Sequence, residues 1–377
     1  MSQEKKGMHY GLVIVACCCL MMGINTGATF SCAGIFFEPV SRALGVKVGE
    51  FSIYVSLMYV TSALMLSVAG GLLERFSARW IFTGSSAVMG LAFTLMACAT
   101  SLWEFYLAGA VLGVTLAFIM YLSFPTLVNR WFHTRVGVMI GVCAAASGIG
   151  GMLLNPVAGW LIESFGWRWG YGGFAALILL VVTPLLGLLL RDRPSDKGLL
   201  PYGAKSDGDS GKGAKTPAAT GMKYSEALRR PVFYAVAIFS FIMMGVSTLN
   251  LFVPGYVTTC SFSTEQASLV AGIVMGGAAV GKIVLGWIND RNCAAGVAVT
   301  TLCGALGLMI LIFGDGSLPL LFVGAFLFGW EYSGVTVQTA MLTKYVFGTL
   351  DYARSTAWSA SPLPPEEPLP PEGGVRW

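Results

Sequence analysis

Residues 70–79 read Gly-Gly-Leu-Leu-Glu-Arg-Phe-Ser-Ala-Arg, and residues 286–291 read Gly-Trp-Ile-Asn-Asp-Arg. Both stretches begin with a glycine, continue through three residues to an acid, and then carry an arginine. The first stretch ends the second long apolar run of the chain and the second ends the eighth. A polar motif repeated six apolar runs apart predicts a membrane protein built from two related six-helix halves.

The composition supports a membrane protein. Of the 377 residues 55% are hydrophobic and 11% are charged, whereas a soluble domain has roughly 25% charged residues. Such a chain cannot cover itself with polar surface, so lipid must cover it. An all-α polytopic fold is therefore expected, with ten runs long enough to span a membrane near 11–37, 51–73, 79–99, 103–127, 137–162, 168–190, 232–257, 267–288, 294–313 and 318–341.

The positive residues predict how these spans are oriented. If the N-terminus is cytoplasmic, 18 Lys and Arg residues fall in cytoplasmic segments and 3 fall in the outer connections, which are Arg42, Lys47 and Arg168. Cytoplasmic loops carry an excess of Lys and Arg. We therefore expect a multi-pass protein of the cytoplasmic membrane with its N-terminus inside.

Four segments are expected along the chain. Residues 1–190 form a six-helix half, 191–230 form a polar cytoplasmic linker without apolar periodicity, 231–354 form an incomplete half of four helices, and 355–377 form a disordered tail. Six prolines between 362 and 371 exclude regular structure in the tail. Either the tail is a true extension of a ten-span protein, or the chain is a truncated or frame-shifted twelve-span protein, the alternative that we favour.

Several further motifs carry a resemblance to a known family. Residues 129–137 read Asn-Arg-Trp-Phe-His-Thr-Arg-Val-Gly, residues 147–151 read Ser-Gly-Ile-Gly-Gly, and residues 165–168 read Phe-Gly-Trp-Arg. With residues 70–79 they resemble the major facilitator superfamily, in its bacterial oxalate/formate antiporter and monocarboxylate transporter branch. The resemblance covers about residues 1–354. It implies a twelve-span fold, of which ten spans are present here, and a secondary transporter that moves a small carboxylate by alternating access.

Lys282 lies within the eighth run, in Val280-Gly281-Lys282-Ile283. An ionisable residue inside a span is costly unless it is paired, hydrated or able to reach the interface. The residue could extend its amine to the membrane surface, because Asn289 at the end of the run is about 10 Å away along a helix. The resemblance implies instead that Lys282 binds a substrate carboxylate, since the family carries a basic residue after this glycine.

Glu331 lies near the middle of the tenth run, where its short side chain cannot reach the interface. Three interpretations stay open: a neutral acid that donates a hydrogen bond within the bundle, a counter-ion of Lys282, or a proton-coupling site. Further candidate ligands are Asn25, Tyr121, Asn250, Trp330 and Tyr332, which lie in the first, fourth, seventh and tenth runs. Ordinary helix-to-helix hydrogen bonds or packing would also account for these residues.

The two repeated stretches are candidate gating motifs. Arginines alone would be explained by the excess of positive residues in cytoplasmic loops. The acids beside them indicate ion pairs or contacts with helix termini at the cytoplasmic helix ends. The predicted gating set is Gly70, Glu74, Arg75, Arg79, Gly286, Asp290 and Arg291.

The sequence carries no enzyme signature. It has no phosphate-binding glycine-lysine loop, and two histidines cannot form a metal cluster, so neither an enzyme nor a cofactor nor a metal is expected. Nucleic acid is not an expected partner, because topology explains the basic residues. The expected partners of a monomeric carrier are lipid, a small carboxylate, and a proton or counter-anion. An inactive fragment and a non-transporting membrane sensor or scaffold are the alternatives.

Overall fold

A computed structural model of the chain describes residues 9–203, 230–314 and 316–347. Within these ranges ten helical segments are long and apolar enough to cross a membrane, which confirms the predicted number. They are numbered here as spans 1 to 10: Gly11–Leu44, Val48–Leu73, Ala78–Cys98, Leu102–Trp131, Val136–Phe165, Trp167–Leu189, Pro231–Thr259, Thr264–Asn289, Cys293–Phe313 and Leu318–Thr339. The predicted tail at 355–377 lies outside the described residues.

Four spans change helical type near their middle. Span 1 runs as Gly11–Leu20, a π-helical segment Met21–Ser31, a 3-10 turn Ala33–Phe36 and a final helix Phe37–Leu44. Spans 4 and 6 contain π-helical segments at Ala117–Leu122 and Leu177–Val182, and span 7 contains a 3-10 turn at Thr248–Phe252. Irregular backbone within a span occurs where protein or a cavity surrounds it. The break in span 1 is therefore enclosed by protein, since most of its residues are buried, whereas the π-helical segment of span 6 reaches the outer surface at Leu180.

The outer surface of the bundle is apolar. Trp103, Leu180, Phe241 and Phe313 are each at least 75% exposed, although they lie within the spans. A surface of this kind is stable only where lipid tails contact it. Helix association in lipid relies on close packing, because burial of apolar surface provides no gain there.

Glycines bring the helices of this bundle into direct contact. A Cβ placed on Gly150 of span 5 would lie 1.9 Å from the carbonyl oxygen of Gly23 in span 1. A Cβ on Gly329 of span 10 would lie 2.2 Å from the carbonyl oxygen of Val274 in span 8. Since real Cβ atoms do not approach so closely, both seams require glycine.

The bundle has two ends with different contacts. We call the end with Arg75, Arg79, Arg130, Arg135 and Arg291 the basic face, and the end with Leu44 and Thr259 the opposite face. The two halves touch at the opposite face, where the Phe37 and Phe252 rings are 5.7 Å apart and the Thr258 hydroxyl donates to the Glu38 carboxylate. The Glu265 amide, at the start of span 8, also donates to the Glu163 carboxylate at 2.7 Å.

The first part of the predicted linker differs from the expected irregular loop. Pro194–Lys197 form a 3-10 turn, and Tyr202 forms a bridge with Phe132 at the end of span 4. The Tyr202 amide donates to the carbonyl of Trp131 at 2.8 Å, and a His9 ring nitrogen is 3.1 Å from the carbonyl oxygen of Leu200. Residues 194–202 therefore pack across the ends of spans 1 and 4, because their backbone groups find partners there.

A buried amide pair joins spans 8 and 10 near the basic face. Asn289 donates to Gln338 Oε1 at 2.8 Å, and Gln338 donates to Asn289 Oδ1 at 3.2 Å and to the Cys293 carbonyl at 3.3 Å. Gln338→Ala would leave the Asn289 amide buried without its partner, at a cost of about 1–3 kcal/mol. We expect a lower melting temperature for Gln338→Ala in a thermal-unfolding assay of the purified protein in detergent.

The matched control for this variant is Thr301→Ala. The Thr301 hydroxyl is exposed and donates only to the Val297 carbonyl within its own helix. We expect its melting temperature to stay at the wild-type value. Equal melting temperatures for the two variants would show that the amide pair adds no stability.

Candidate functional site

Lys282 is directed from span 8 toward span 5. Its amine donates to Ser147 Oγ at 3.2 Å and lies 3.5 Å from the carbonyl oxygen of Ala144. The side chain is half-buried. Among the described residues no carboxylate forms an ion pair with Lys282, since the recorded ion pair joins Arg42 to Glu38. The amine is therefore a cation inside a span whose partners are uncharged, which leaves it able to bind an anion.

Lys282 lies where the two halves begin to separate. Spans 5 and 8 pack closely from the opposite face to the middle, where a Cβ on Gly148 would lie 2.9 Å from Ala279 Cβ. Nearer the basic face, Gly137, Gly141 and Gly286 have open space around the position of a Cβ. The amine thus lies beyond the closest contact of spans 5 and 8, on the side of the basic face.

Glu331 points in another direction. A Cβ on Gly304 of span 9 would lie 2.7 Å from both Cβ and Cγ of Glu331, so the side chain packs on span 9. The residue is 3% exposed, and neither carboxyl oxygen has a hydrogen-bond partner within the described part of the chain. Pairing with Lys282, one of the three interpretations of Glu331, is not formed among the described residues of this structure. The glycine at 304 provides the room that the carboxyl group occupies.

Asn250 and Tyr332 line a small cavity between the halves. The cavity measures about 10 Å³, which is room for about one water molecule, and its wall consists of Phe30, Tyr59, Met244, Ser247, Thr248, Asn250, Leu251 and Tyr332. Asn250 is buried, and its Oδ1 has no hydrogen-bond partner among the residues described. The Tyr332 and Phe30 rings are 6.1 Å apart. The structure thus brings two of the predicted ligands together.

Tyr121 and Trp330 border the same region. Tyr121 lies in the π-helical segment of span 4 with its side chain 40% exposed, and it interacts electrostatically with Tyr59 and Tyr332. Trp330 is half-buried beside Gly281, where a Cβ on the glycine would lie 3.2 Å from Trp330 Cα. Tyr121 therefore shares the cavity region, whereas Trp330 packs on the helix that carries Lys282.

Asn25 is directed into the first half. Its amide donates to Ser86 Oγ at 2.8 Å, and Ser86 Oγ lies 3.0 Å from the Thr183 hydroxyl. These contacts join spans 1, 3 and 6. A role for Asn25 as a substrate ligand stays a prediction, and the structure uses its amide donor for helix packing.

The repeated motifs lie at the basic face, as their sequence predicts. The backbone amide of Arg79 donates to Asp192 Oδ1 at 2.6 Å and its Nε donates to the Gly187 carbonyl at 3.0 Å, so Arg79 ties span 3 to the end of span 6. Arg75 is exposed, and the Arg291 guanidinium stacks 3.8 Å over the Trp287 ring.

The remaining members of the gating set are glycines and acids. Gly70 and Gly286 face open space. The side chains of Glu74 and Asp290 lie outside the described residues, so the predicted acid bridges stay a prediction.

Sequence reasoning missed the partner of Lys282. Ser147 was named only as part of the motif at 147–151, although it lies near the middle of span 5, at about the depth of Lys282. Glu38 and Glu163, whose carboxylates join the halves at the opposite face, do not belong to any of the sequence motifs. Their positions at span ends could have indicated a role at a helix terminus.

The fold, with ten candidate spans and a lysine between spans 5 and 8, defines a polytopic membrane protein. The family profile of the Major Facilitator Superfamily matches residues 15–359, and the chain belongs to this superfamily. This superfamily is one of transporters and not of enzymes.

Several relatives are similar at low identity. Monocarboxylate transporter 12 of Xenopus laevis is 26% identical over 78% of this chain and 66% of its own length, and the Homo sapiens protein of that name is 24% identical over 90% and 69%. The probable transporter MCH2 of Saccharomyces cerevisiae is 25% identical over 71% of this chain and 54% of its own length. The chain thus spans about two thirds of the length of the two monocarboxylate transporters and about half of the length of MCH2.

Solved structures show the same fold. A bacterial homologue of the human lysosomal transporter Spinster, in an inward-facing and unoccupied conformation, matches with a TM-score of 0.71 at 15% identity and covers 95% of this chain and 79% of its own. The nucleoside transporter NupG matches with a TM-score of 0.65 at 14% identity, over 94% of this chain and 86% of its own.

Proposed function

We propose that this protein is a secondary transporter that moves a small carboxylate anion of the monocarboxylate or oxalate/formate type across the cytoplasmic membrane. The observation that carries the proposal is the Lys282 amine, whose hydrogen-bond partners within the described residues are Ser147 and the Ala144 carbonyl, and which in this proposal lies at the inner end of a cleft between the halves. Charge attraction is strong in a site of low dielectric constant, so a carboxylate that enters the cleft binds the amine. The similar proteins of Xenopus laevis and Homo sapiens are named monocarboxylate transporters.

The other candidate ligands suit the uncharged part of such an anion. Tyr121, Asn250 and Tyr332 provide hydroxyl and amide groups near the cavity, Phe30 provides apolar surface in its wall, and Trp330 provides apolar surface beside Gly281, next to Lys282. A small acid with a hydroxyl or keto group would find both kinds of contact there. One lysine balances one negative charge, and we therefore propose that monoanions are preferred over dianions such as oxalate.

The basic face is proposed to be cytoplasmic, because positive residues concentrate on that side of the spans. In that orientation the cleft opens to the cytoplasm, and the contacts between Glu38 and Thr258 and between Glu163 and Glu265 close the outer end. Transport then proceeds when the halves rock about the central site and open the outer end instead. The arginines of the two repeated motifs are proposed to steady the cytoplasmic helix ends in the alternate state.

The proposal is tested with the purified full chain in proteoliposomes. Counterflow of labelled formate, lactate, pyruvate and oxalate is measured at equal pH on both sides. We expect saturable uptake of at least one monocarboxylate, with oxalate transported more slowly. If none of the four anions exchanges above protein-free vesicles, while the protein is monodisperse and correctly inserted, carboxylate transport is rejected.

A further inference from the structure

Residues 194–202, here called the strap, lie across the end of span 4 at the basic face. The Tyr202 amide donates to the Trp131 carbonyl at 2.8 Å, and the His133 amide donates to the Tyr202 carbonyl at 3.0 Å. The Tyr202 and Phe132 rings are 5.5 Å apart. The strap is therefore bound to span 4 by main-chain hydrogen bonds, in the manner of a short strand.

The ends of spans 1 and 6 belong to the same contact. The Tyr10 hydroxyl, at the start of span 1, donates to the Leu189 carbonyl at the end of span 6 at 2.8 Å. The Trp131 indole donates to the Arg191 carbonyl at 3.1 Å, and the Lys197 amine of the strap lies 5.0 Å from the centre of the Tyr10 ring. Hydrogen bonds and ring contacts therefore hold the strap and the ends of three spans together.

Each of these three spans contains a π-helical segment, and the segments are Met21–Ser31, Ala117–Leu122 and Leu177–Val182. Such segments occur frequently at functional sites, and sharp bends in helices are found at them. The parts of the spans between these segments and the basic face, here called the arms, are Gly11–Leu20, Ser123–Trp131 and Thr183–Leu189. The arms can bend relative to the rest of their spans, and the strap ties their ends together.

His9 joins the strap to the start of span 1 through both nitrogens of its ring. Nδ1 lies 3.1 Å from the Gly11 amide nitrogen, and Nε2 lies 3.1 Å from the Leu200 carbonyl oxygen. A backbone amide only donates and a carbonyl only accepts, so Nε2 carries a hydrogen and Nδ1 does not. The strap therefore binds the neutral ring. A proton on Nδ1 would face the Gly11 N–H, and because the ring is rigid, turning Nδ1 away would also move Nε2 off Leu200.

The charged groups around His9 give its protonated form no counter-ion. The Tyr202 ring of the strap meets the imidazole edge-on, with ring centroids 5.3 Å apart. The carboxylates of Asp192 and Asp196 accept hydrogen bonds from the backbone amides of residues 79, 192 and 193. The other titratable residues of the strap and of the neighbouring span ends are Tyr10, Arg130, His133, Arg135, Arg191, Arg193 and Lys197. A positive charge on His9 is thus added to a mostly basic set of side chains, and within the described residues it has no ion pair.

From these contacts we propose that the strap is a pH-sensitive clamp on the arms of spans 1, 4 and 6, held by neutral His9 and released when His9 is protonated. Histidine side chains change their charge between pH 5 and 8. Because the docked ring is the neutral form, docking is favoured at higher pH and is lost as the pH at the basic face falls. Release frees the arms to bend at the π-helical segments. This response does not depend on which substrate the protein carries.

The chain has two histidines, His9 and His133, which provide a matched pair of variants. His9→Gln retains an N–H group that can donate to the Leu200 carbonyl, but it does not titrate. His133→Gln is the control, because the His133 side chain is exposed and the strap binds its backbone amide. We therefore expect a pH response in wild type and in His133→Gln, and none in His9→Gln.

Docking is measured by hydrogen exchange of the amides of residues 133 and 202, with mass spectrometry of the purified full chain in detergent at about pH 7.5 and about pH 5.5. After correction for intrinsic exchange, these amides in wild type and His133→Gln should exchange at least about fivefold faster at the lower pH, the change that one lost hydrogen bond gives. In His9→Gln the corrected rate should be independent of pH, and this result at any absolute rate assigns the response to His9. No response in wild type, or the same response in His9→Gln, overturns the proposal.

Bending of the first arm is measured at Cys143 in span 5. Its thiol contacts that of Cys18 in the arm Gly11–Leu20, and both residues are 0% exposed. From about pH 7.5 to about pH 5.5, modification of Cys143 by N-ethylmaleimide in wild type, relative to His9→Gln, should become at least about fivefold faster. This ratio removes the pH dependence of thiol reactivity itself. A ratio that does not change with pH overturns the bending of the arm. Neither measurement uses a substrate, so absence of carboxylate transport would reject the proposed function and leave this test intact.

Discussion

Lys282→Met is expected to reduce carboxylate counterflow by at least about thirtyfold. Truncating one partner of a buried charge pair costs about 2–5 kcal/mol, and every 1.4 kcal/mol is a factor of ten in affinity. Methionine has a similar length, carries no charge and is tolerated inside a membrane. The measurement is counterflow of the labelled monocarboxylate as a function of its concentration, which separates a change in KM from a change in maximal rate.

The melting temperature of Lys282→Met distinguishes loss of the anion site from loss of the fold. Since Lys282 is a cation whose partners are uncharged in this structure, its removal should leave the melting temperature unchanged or raise it. Lys282→Arg should retain transport, because the guanidinium also pairs with a carboxylate. Ser147→Ala removes one hydrogen bond of the amine and should change the KM only severalfold. Wild-type KM and maximal rate in Lys282→Met would show that the anion binds elsewhere.

The number of spans and their approximate bounds could be predicted because length and apolar composition alone determine which segments cross lipid. The direction in which a side chain points around its helix could not be predicted, because it depends on which neighbouring helices the span packs against. For Asn25 the sequence left open a substrate contact or a helix-to-helix hydrogen bond, and in the structure its amide donates to Ser86 within the first half. Glu331 was considered as a counter-ion of Lys282, yet it faces Gly304.

Small residues contribute to this difficulty. The sequence shows that Ser147 and Gly148 belong to a face without large side chains, but not which helix approaches that face. The contact with Lys282 arises because span 8 lies against span 5 across the two halves, a pairing of elements more than a hundred residues apart. Residues 194–202 were likewise expected to be irregular, since their partners at the ends of spans 1 and 4 lie far away in sequence.

Gly34→Ala is expected to separate the halves at the opposite face and to reduce transport by at least about tenfold. A Cβ on Gly34 would lie 2.1 Å from the carbonyl oxygen of Leu251 and 2.9 Å from its Cα. The obstructing atoms are backbone, so no change of rotamer in a neighbour relieves the clash. Overpacking of this kind costs about 1–3 kcal/mol. Moving span 7 away from span 1 relieves it, and that movement opens the end of the bundle that Glu38 and Thr258 now close.

The opening can be followed through Cys32, which lies two residues before Gly34 and is 0% exposed. Its labelling by a membrane-impermeant maleimide, identified on the peptide by mass spectrometry, should increase at least about tenfold in Gly34→Ala. Gly49→Ala is the matched control, since a Cβ there meets open space, and it should leave the labelling unchanged. Gly150→Ala places its Cβ 1.9 Å from Gly23 within the first half, so it should lower the melting temperature without selectively exposing Cys32. If Gly34→Ala, like Gly150→Ala, lowered the melting temperature without exposing Cys32, the contact between Gly34 and Leu251 would belong to the static core of the protein. Closure of the opposite face would then have to depend on the contacts of the Glu38 and Glu163 carboxylates.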